Sequence, residues 1–114
     1  MVVSPLIALM QDQVSHLQAK GIEAAVIHSG MPFGAVKETL QACTSGAYKF
    51  LYLSPERIES HLFKEYLPAL DISLIAVDEA HCIAQWGYDF RPPYLRIAAL
   101  RTELPGVPVI ALTA

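Results

Sequence analysis

Two cysteines in 114 residues, Cys43 and Cys82, are too few and too far apart for a disulfide framework, and neither sits in the CxxC spacing that would suggest zinc. A reducing, intracellular setting is expected. Charge is scarce as well: Asp, Glu, Lys and Arg make up 17% of the chain, against roughly 25% in an average soluble domain. With 8 Lys+Arg against 11 Asp+Glu the net charge is −3, which excludes a polybasic nucleic-acid tail and any binding that depends on overall positive charge. Long apolar runs are missing, because Ser4, Pro5, Gln11 and Asp12 break the most hydrophobic stretch well short of the ~20 residues a membrane span requires. No basic start leads into an apolar segment with a small-residue cleavage site, so no secretory signal is read. Also absent is the phosphate-cradling pattern G-x-x-x-x-G-K-[ST]. Glycines stand at 21, 30, 34, 46, 87 and 106, and none is followed by lysine.

What is plentiful is apolar. Hydrophobic residues reach 54%, which excludes disorder and favours a core covered on both sides. A chain of this length buries about two-thirds of its unfolded surface, enough for one core and too little for two. Val2-Val3 reads as the end of a strand. Ser4-Pro5 reads as a helix cap with proline at the first helical position, ahead of Leu6, Met10, Val14 and Leu17 at helical spacing up to Gly21. Ala24 to Ile27 is a second strand, followed by a helix on which Phe33, Val36, Leu40 and Cys43 recur until Gly46. Phe50 to Leu53 is a third, and Ser54-Pro55 repeats the cap-plus-proline start before Ile58, Leu62 and Tyr66. Leu74 to Val77 and Val109 to Leu112 are continuously apolar, the mark of parallel strands buried on both faces, with a helix over Tyr94 to Leu104 between them.

Strand and helix thus alternate four times before a final strand. The predicted fold is α/β, a three-layer sandwich with a mainly parallel sheet and right-handed crossovers, forming one domain over residues 1–114. Because the chain opens within a strand and closes on a strand, it is expected to be part of a larger domain. Such sheets bind ligands at the carboxyl ends of their strands. Those ends carry Ser4, His28-Ser29, Ser54, Asp78-Glu79 and Thr113.

Asp78-Glu79 directly follows a buried strand, so two carboxylates stand side by side at the ligand edge. In a nucleotide hydrolase such a pair divides labour: Asp78 would hold Mg²⁺, through water, while Glu79 orients or deprotonates the water that attacks the γ-phosphate of ATP. An acidic pair after a strand also serves simply to cap the next helix. Further along, Trp86, Tyr88 and Phe90 alternate with Gly87, Asp89 and Arg91. Rings suited to stacking on bases and a guanidinium suited to phosphate are thereby offered together. The alternative is that Trp86 and Phe90 fill the core. Ser4-Pro5 and Ser54-Pro55 open helices at the same edge, where free amides can meet a phosphate, although plain capping needs no ligand. His16 and His61 read as solvated, His28 remains open, and none is assigned a metal.

Asp78-Glu79-Ala80-His81 after an apolar strand resembles motif II of the superfamily-two helicases, and the surrounding residues resemble the RecQ family of DNA helicases. The stretch from Val2 to Val14 is similar to that family's motif Ia, and Tyr52 to Arg57 to its motif Ib region. Cys82 to Pro92 resembles the aromatic-rich loop of RecQ proteins, departing from it at Tyr88 and at the Pro93 that follows, and Ala111-Leu112-Thr113-Ala114 resembles the start of motif III. The resemblance implies a partial RecA-like helicase domain without the P-loop strand and helix, which the family places ahead of motif Ia. It implies Mg²⁺ and ATP as cofactors, with Asp78, Glu79 and His81 catalytic and His81 also coupling hydrolysis to DNA. Ser4, Pro5, Ser54, Trp86, Phe90, Arg91 and Thr113 would contact DNA or relay its presence.

The implied partners are single-stranded and branched or duplex DNA and the remaining helicase domains of a parent chain, with no membrane. The implied location is the cytoplasm and nucleoid of a bacterium, or the nucleus of a eukaryote. The parent would be a 3′ to 5′ helicase, and the isolated chain would be inactive. A second reading keeps the fold but makes the chain a truncated, non-catalytic module that binds nucleic acid or a partner. A stand-alone metal hydrolase would need further clustered ligands, which the sequence does not offer.

Overall fold

The computed structural model describes residues 1–79 and 94–112. Val2–Val3 (β1), Ala24–Ile27 (β2), Phe50–Leu53 (β3), Ile75–Val77 (β4) and Val109–Ala111 (β5) form one sheet. Their order is β2-β3-β1-β4-β5, and every pairing is parallel. Between them run Ile7–Ala19 (α1), Phe33–Thr44 (α2), Pro55–Ile58 (α3), His61–Tyr66 (α4) and Tyr94–Glu103 (α5), with a 3-10 turn over Leu67–Ala69 after α4. The α/β architecture expected from the alternation of apolar runs and helical periods is therefore present.

Alternation along each strand divides the core in two. Val3, Ala25, Ile27, Leu51, Leu53, Ile75 and Val77 face a cluster completed by Val36 and Leu40 of α2, Ile58 of α3, Phe63 of α4 and Ile97 and Leu100 of α5. On the opposite face Ala24 and Tyr52, with Val2 and Val26, meet Met10 and Val14 of α1. These are the three layers. Gly21 and Gly46 follow α1 and α2 with φ of 79° and 80°, the left-handed region that closes a helix at little cost only for glycine.

Four details differ from the sequence reading. First, α1 starts at Ile7 behind Leu6, so Ser4 is not its cap and Pro5 is not its first residue. The backbone N–H of Ser4 still donates to Leu53 in the sheet at 3.1 Å, and Pro5 and Leu6 are spent turning the chain out of it. Second, the helical stretch after Ser54 is broken in two. Ser60 Oγ donates to the Arg57 carbonyl at 2.7 Å and accepts from the Phe63 N–H at 3.2 Å, ending α3 and capping α4 in one residue.

Third, β5 is not buried on both faces. Ile110 and Leu112 are 46% and 49% exposed, because α1 packs over β1 to β3 and stops short of this edge. Fourth, Phe33 shares the period of Val36 and Leu40 but not their burial. It is 65% exposed, since the first turn of α2 lies at the rim of the sheet instead of over it.

Candidate nucleotide and nucleic-acid edge

Register places the candidate residues in one row. Ile27, Leu53, Val3, Val77 and Ala111 are aligned across the five strands, so the residues after them, His28, Ser54, Ser4, Asp78 and Leu112, stand side by side at the carboxyl edge. The ladder continues through that row. Ser54 N–H donates to Ile27 O at 3.0 Å, Ser4 N–H to Leu53 O at 3.1 Å, Asp78 N–H to Val3 O at 2.8 Å and Leu112 N–H to Val77 O at 2.8 Å. Backbone pairing on this scale fixes where each side chain begins.

Asp78 and Glu79 are both half-buried at the end of β4. Oδ1 of Asp78 accepts the Glu79 backbone N–H at 2.9 Å, and Glu79 has a φ of 55°. A non-glycine residue in the left-handed region is strained by an amount of order 1–3 kcal/mol, and such strain gathers at functional sites. The turn therefore separates the two carboxylates immediately after a rigid strand, with one of them engaged by the other's backbone. Among the described residues no group of three or more His, Cys, Asp or Glu could hold a metal. An ion here would draw on one or two carboxylates together with oxygens from elsewhere, which is the usual habit of Mg²⁺ beside nucleotide phosphates. The donor set fits that ion.

The two serines are more deeply placed than phosphate contacts require. Ser4 is 3% and Ser54 1% exposed. Ser4 Oγ accepts from the Leu6 N–H at 3.3 Å, whereas Ser54 makes no side-chain cap bond to α3, and its Oγ has no hydrogen-bond partner among the described residues. Pro5 is half-buried and Pro55 buried. His81, Trp86, Phe90, Arg91 and Thr113 lie outside the described residues. His16 and His61 are exposed, as the sequence reading expected.

Two residues gain importance from the structure alone. Arg57 reaches back to the β2–α2 turn, where Nε donates to His28 O at 3.0 Å and one terminal nitrogen to Ser29 O at 3.3 Å and Met31 O at 2.7 Å. His28 accepts the Gly30 N–H through Nδ1 at 3.1 Å, and its Nε2 lies 3.5 Å from the side-chain amide of Gln11. Three carbonyls on one guanidinium form a brace between segments 26 to 29 positions apart. Nothing local in the sequence announces such a contact.

A parallel α/β sheet with an acidic pair at the carboxyl end of a buried strand is consistent with part of a RecA-like domain. The chain belongs to the DEAD/DEAH box helicase family, which it matches over residues 1–114. It is 44% identical to the ATP-dependent DNA helicase RecQ of Haemophilus influenzae, over 100% of this chain and 18% of that protein. Against the ATP-dependent DNA helicase RecQ of Bacillus subtilis the identity is 51%, over 99% of this chain and 19% of that protein. ATP-dependent DNA helicase Q5 of Mus musculus is 45% identical, over 99% of this chain and 12% of that protein. The resemblance to RecQ proteins thus holds along the whole chain, which spans less than a fifth of the length of these relatives. No helix among the described residues is long and apolar enough to cross a membrane.

Proposed function

We propose that this chain is part of the motor of a RecQ-type, ATP-dependent 3′ to 5′ DNA helicase, with the row His28, Ser54, Ser4, Asp78 as its working edge. The observation that carries the reading is the position of Asp78-Glu79 at the end of β4, in register with two neighbouring strand ends. Asp78 holds Mg²⁺, through water, and the ion's chemistry is to offset phosphate charge. Glu79 accepts a proton from, or orients, the attacking water. Relatives named as ATP-dependent DNA helicases support ATP and DNA as the ligands.

His81, Trp86, Phe90, Arg91 and Thr113 couple that chemistry to a DNA strand, and a second domain of the complete protein closes over the edge. Ser4, Pro5 and Ser54 shape it from below: their burial makes them supports for the strand path, with their backbone and neighbours nearer to phosphate than their hydroxyls. Single strands are bound directly and branched or duplex DNA is the form unwound, in the cytoplasm and nucleoid or in the nucleus according to the host.

ATP turnover by the complete polypeptide, with and without single-stranded DNA, tests the reading through Trp86→Ala. The loop follows the carboxylates in sequence, so its loss should leave DNA affinity within a few-fold while sharply lowering stimulation by DNA. If Trp86 instead plugs the core, the same change costs ~3–5 kcal/mol of stability and lowers both rates together. A reduced melting temperature with an unchanged stimulation ratio would refute the coupling role.

A further inference from the structure

The amino edge of the sheet, opposite the row of candidate residues, holds a cavity of about 290 Å³. Its lining is mostly apolar, with Val2 and Leu51 from β1 and β3 and Leu70 and Ile72 from the segment that leads into β4. Tyr48, Phe50 and Leu74 also line it and are exposed, an apolar surface that the proposed motor chemistry does not use. Two charged side chains complete the lining. Lys49 directly precedes β3, and Asp71 lies in the segment ahead of β4. Both are exposed, and neither makes an ion pair among the described residues. Only β1 runs between β3 and β4, so those two strands are about 10 Å apart at the usual spacing. A cation on one strand's side and an anion on the other's therefore share one apolar floor.

The volume is close to the lower limit of ligand pockets, roughly 300 Å³, which is room for one or two aliphatic side chains and too little for a whole nucleotide. A small ion would answer only one of the two charges. An extended chain answers both, because it rises about 3.3 Å per residue and residues three positions apart span about 10 Å. We infer that this cavity is a docking site for an extended segment of a partner protein, with an acidic residue at Lys49, a basic residue at Asp71 and aliphatic side chains between them. Apolar burial supplies the affinity. The charges supply the choice of partner, since exposed ion pairs add little binding of their own. The inference goes beyond the motor reading and does not depend on it. β1 and β4 run from this edge to Ser4 and Asp78 at the other, so a segment docked here leaves the carboxyl edge free.

The test is calorimetric titration of the complete polypeptide with three end-capped tetrapeptides, Glu-Leu-Leu-Lys, Glu-Leu-Leu-Glu and Lys-Leu-Leu-Lys. The parent should prefer the first over either like-charged peptide by about three- to five-fold. Asp71→Lys should move the preference to Glu-Leu-Leu-Glu, and Lys49→Glu should move it to Lys-Leu-Leu-Lys. Both positions are exposed, so the melting temperatures of the variants should match the parent. Replacing both leucines of the peptide by serine should abolish binding. Cys43 lines the cavity, so bound peptide should slow its alkylation at alkaline pH, read by peptide mapping. Neither ATP nor single-stranded DNA should displace the peptide. Equal affinity for all three peptides, or a preference that does not switch in the variants, overturns the charge recognition. No binding at millimolar peptide, with Cys43 unprotected, shows the cavity closed by other parts of the complete polypeptide and overturns the docking site. Displacement by DNA overturns it too, by moving the peptide to the carboxyl edge.

Discussion

Ser54 buries a hydroxyl that has no hydrogen-bond partner among the described residues, and an unsatisfied buried polar group typically costs about 1–3 kcal/mol. Ser54→Ala should therefore leave the melting temperature unchanged or raise it. A fall equivalent to more than ~1 kcal/mol would show that the hydroxyl is bonded after all. Cys43 is half-buried, and desolvation pushes its thiol above the ordinary value of 9.0. Thiolate is then scarce near neutral pH. Alkylation at Cys43, followed by peptide mapping, should be slow at pH 7 and rise only at a pH above that of an unfolded thiol; rapid modification at pH 7 would contradict the burial. At this scale the sequence was legible in placing Asp78-Glu79 at the end of a buried strand. It was mute where a role depends on distant geometry, as for Arg57 and the orphan Ser54.

Elements were legible wherever a single period governs them. Ala24–Ile27, Phe33–Thr44 and Phe50–Leu53 occur where apolar runs and three-to-four spacing put them, because parallel strands need continuous apolar sequence and covering helices need one apolar face. Ends were less legible. Ser-Pro at 4–5 and 54–55 looks alike and both serines are bonded in the sheet, yet Ser54 leads directly into α3 while Pro5 and Leu6 separate Ser4 from α1, so one helix begins later than its signal. Short helices add a second difficulty. α3 and α4 together span a stretch whose apolar period is unbroken, and the two side-chain hydrogen bonds of Ser60 mark the division. α4 is held down by Phe63, which is fully buried. Phe63→Ala should cost ~3–5 kcal/mol of stability, read by denaturant unfolding. A loss below ~1 kcal/mol would mean that the small helix contributes little to the core.

At the scale of the molecule, the fold supplies one edge of the proposed motor. With no G-x-x-x-x-G-K-[ST] sequence to cradle phosphates, the purified 114-residue chain should show no DNA-stimulated ATP hydrolysis, and measurable turnover would contradict the proposed division of labour. The acidic pair is the centre of that division. Replacing Glu79 by glutamine keeps its shape but removes the group that can accept a proton from water and the charge that orients it. The direct measurement is therefore ATP binding beside ATP turnover for Glu79→Gln and the parent, both as complete polypeptides with single-stranded DNA present. The account predicts near-parental nucleotide binding with turnover lowered by about a hundred-fold or more. Turnover close to the parent's would show that Glu79 only shapes the turn after β4, and would contradict the assignment of this edge to hydrolysis.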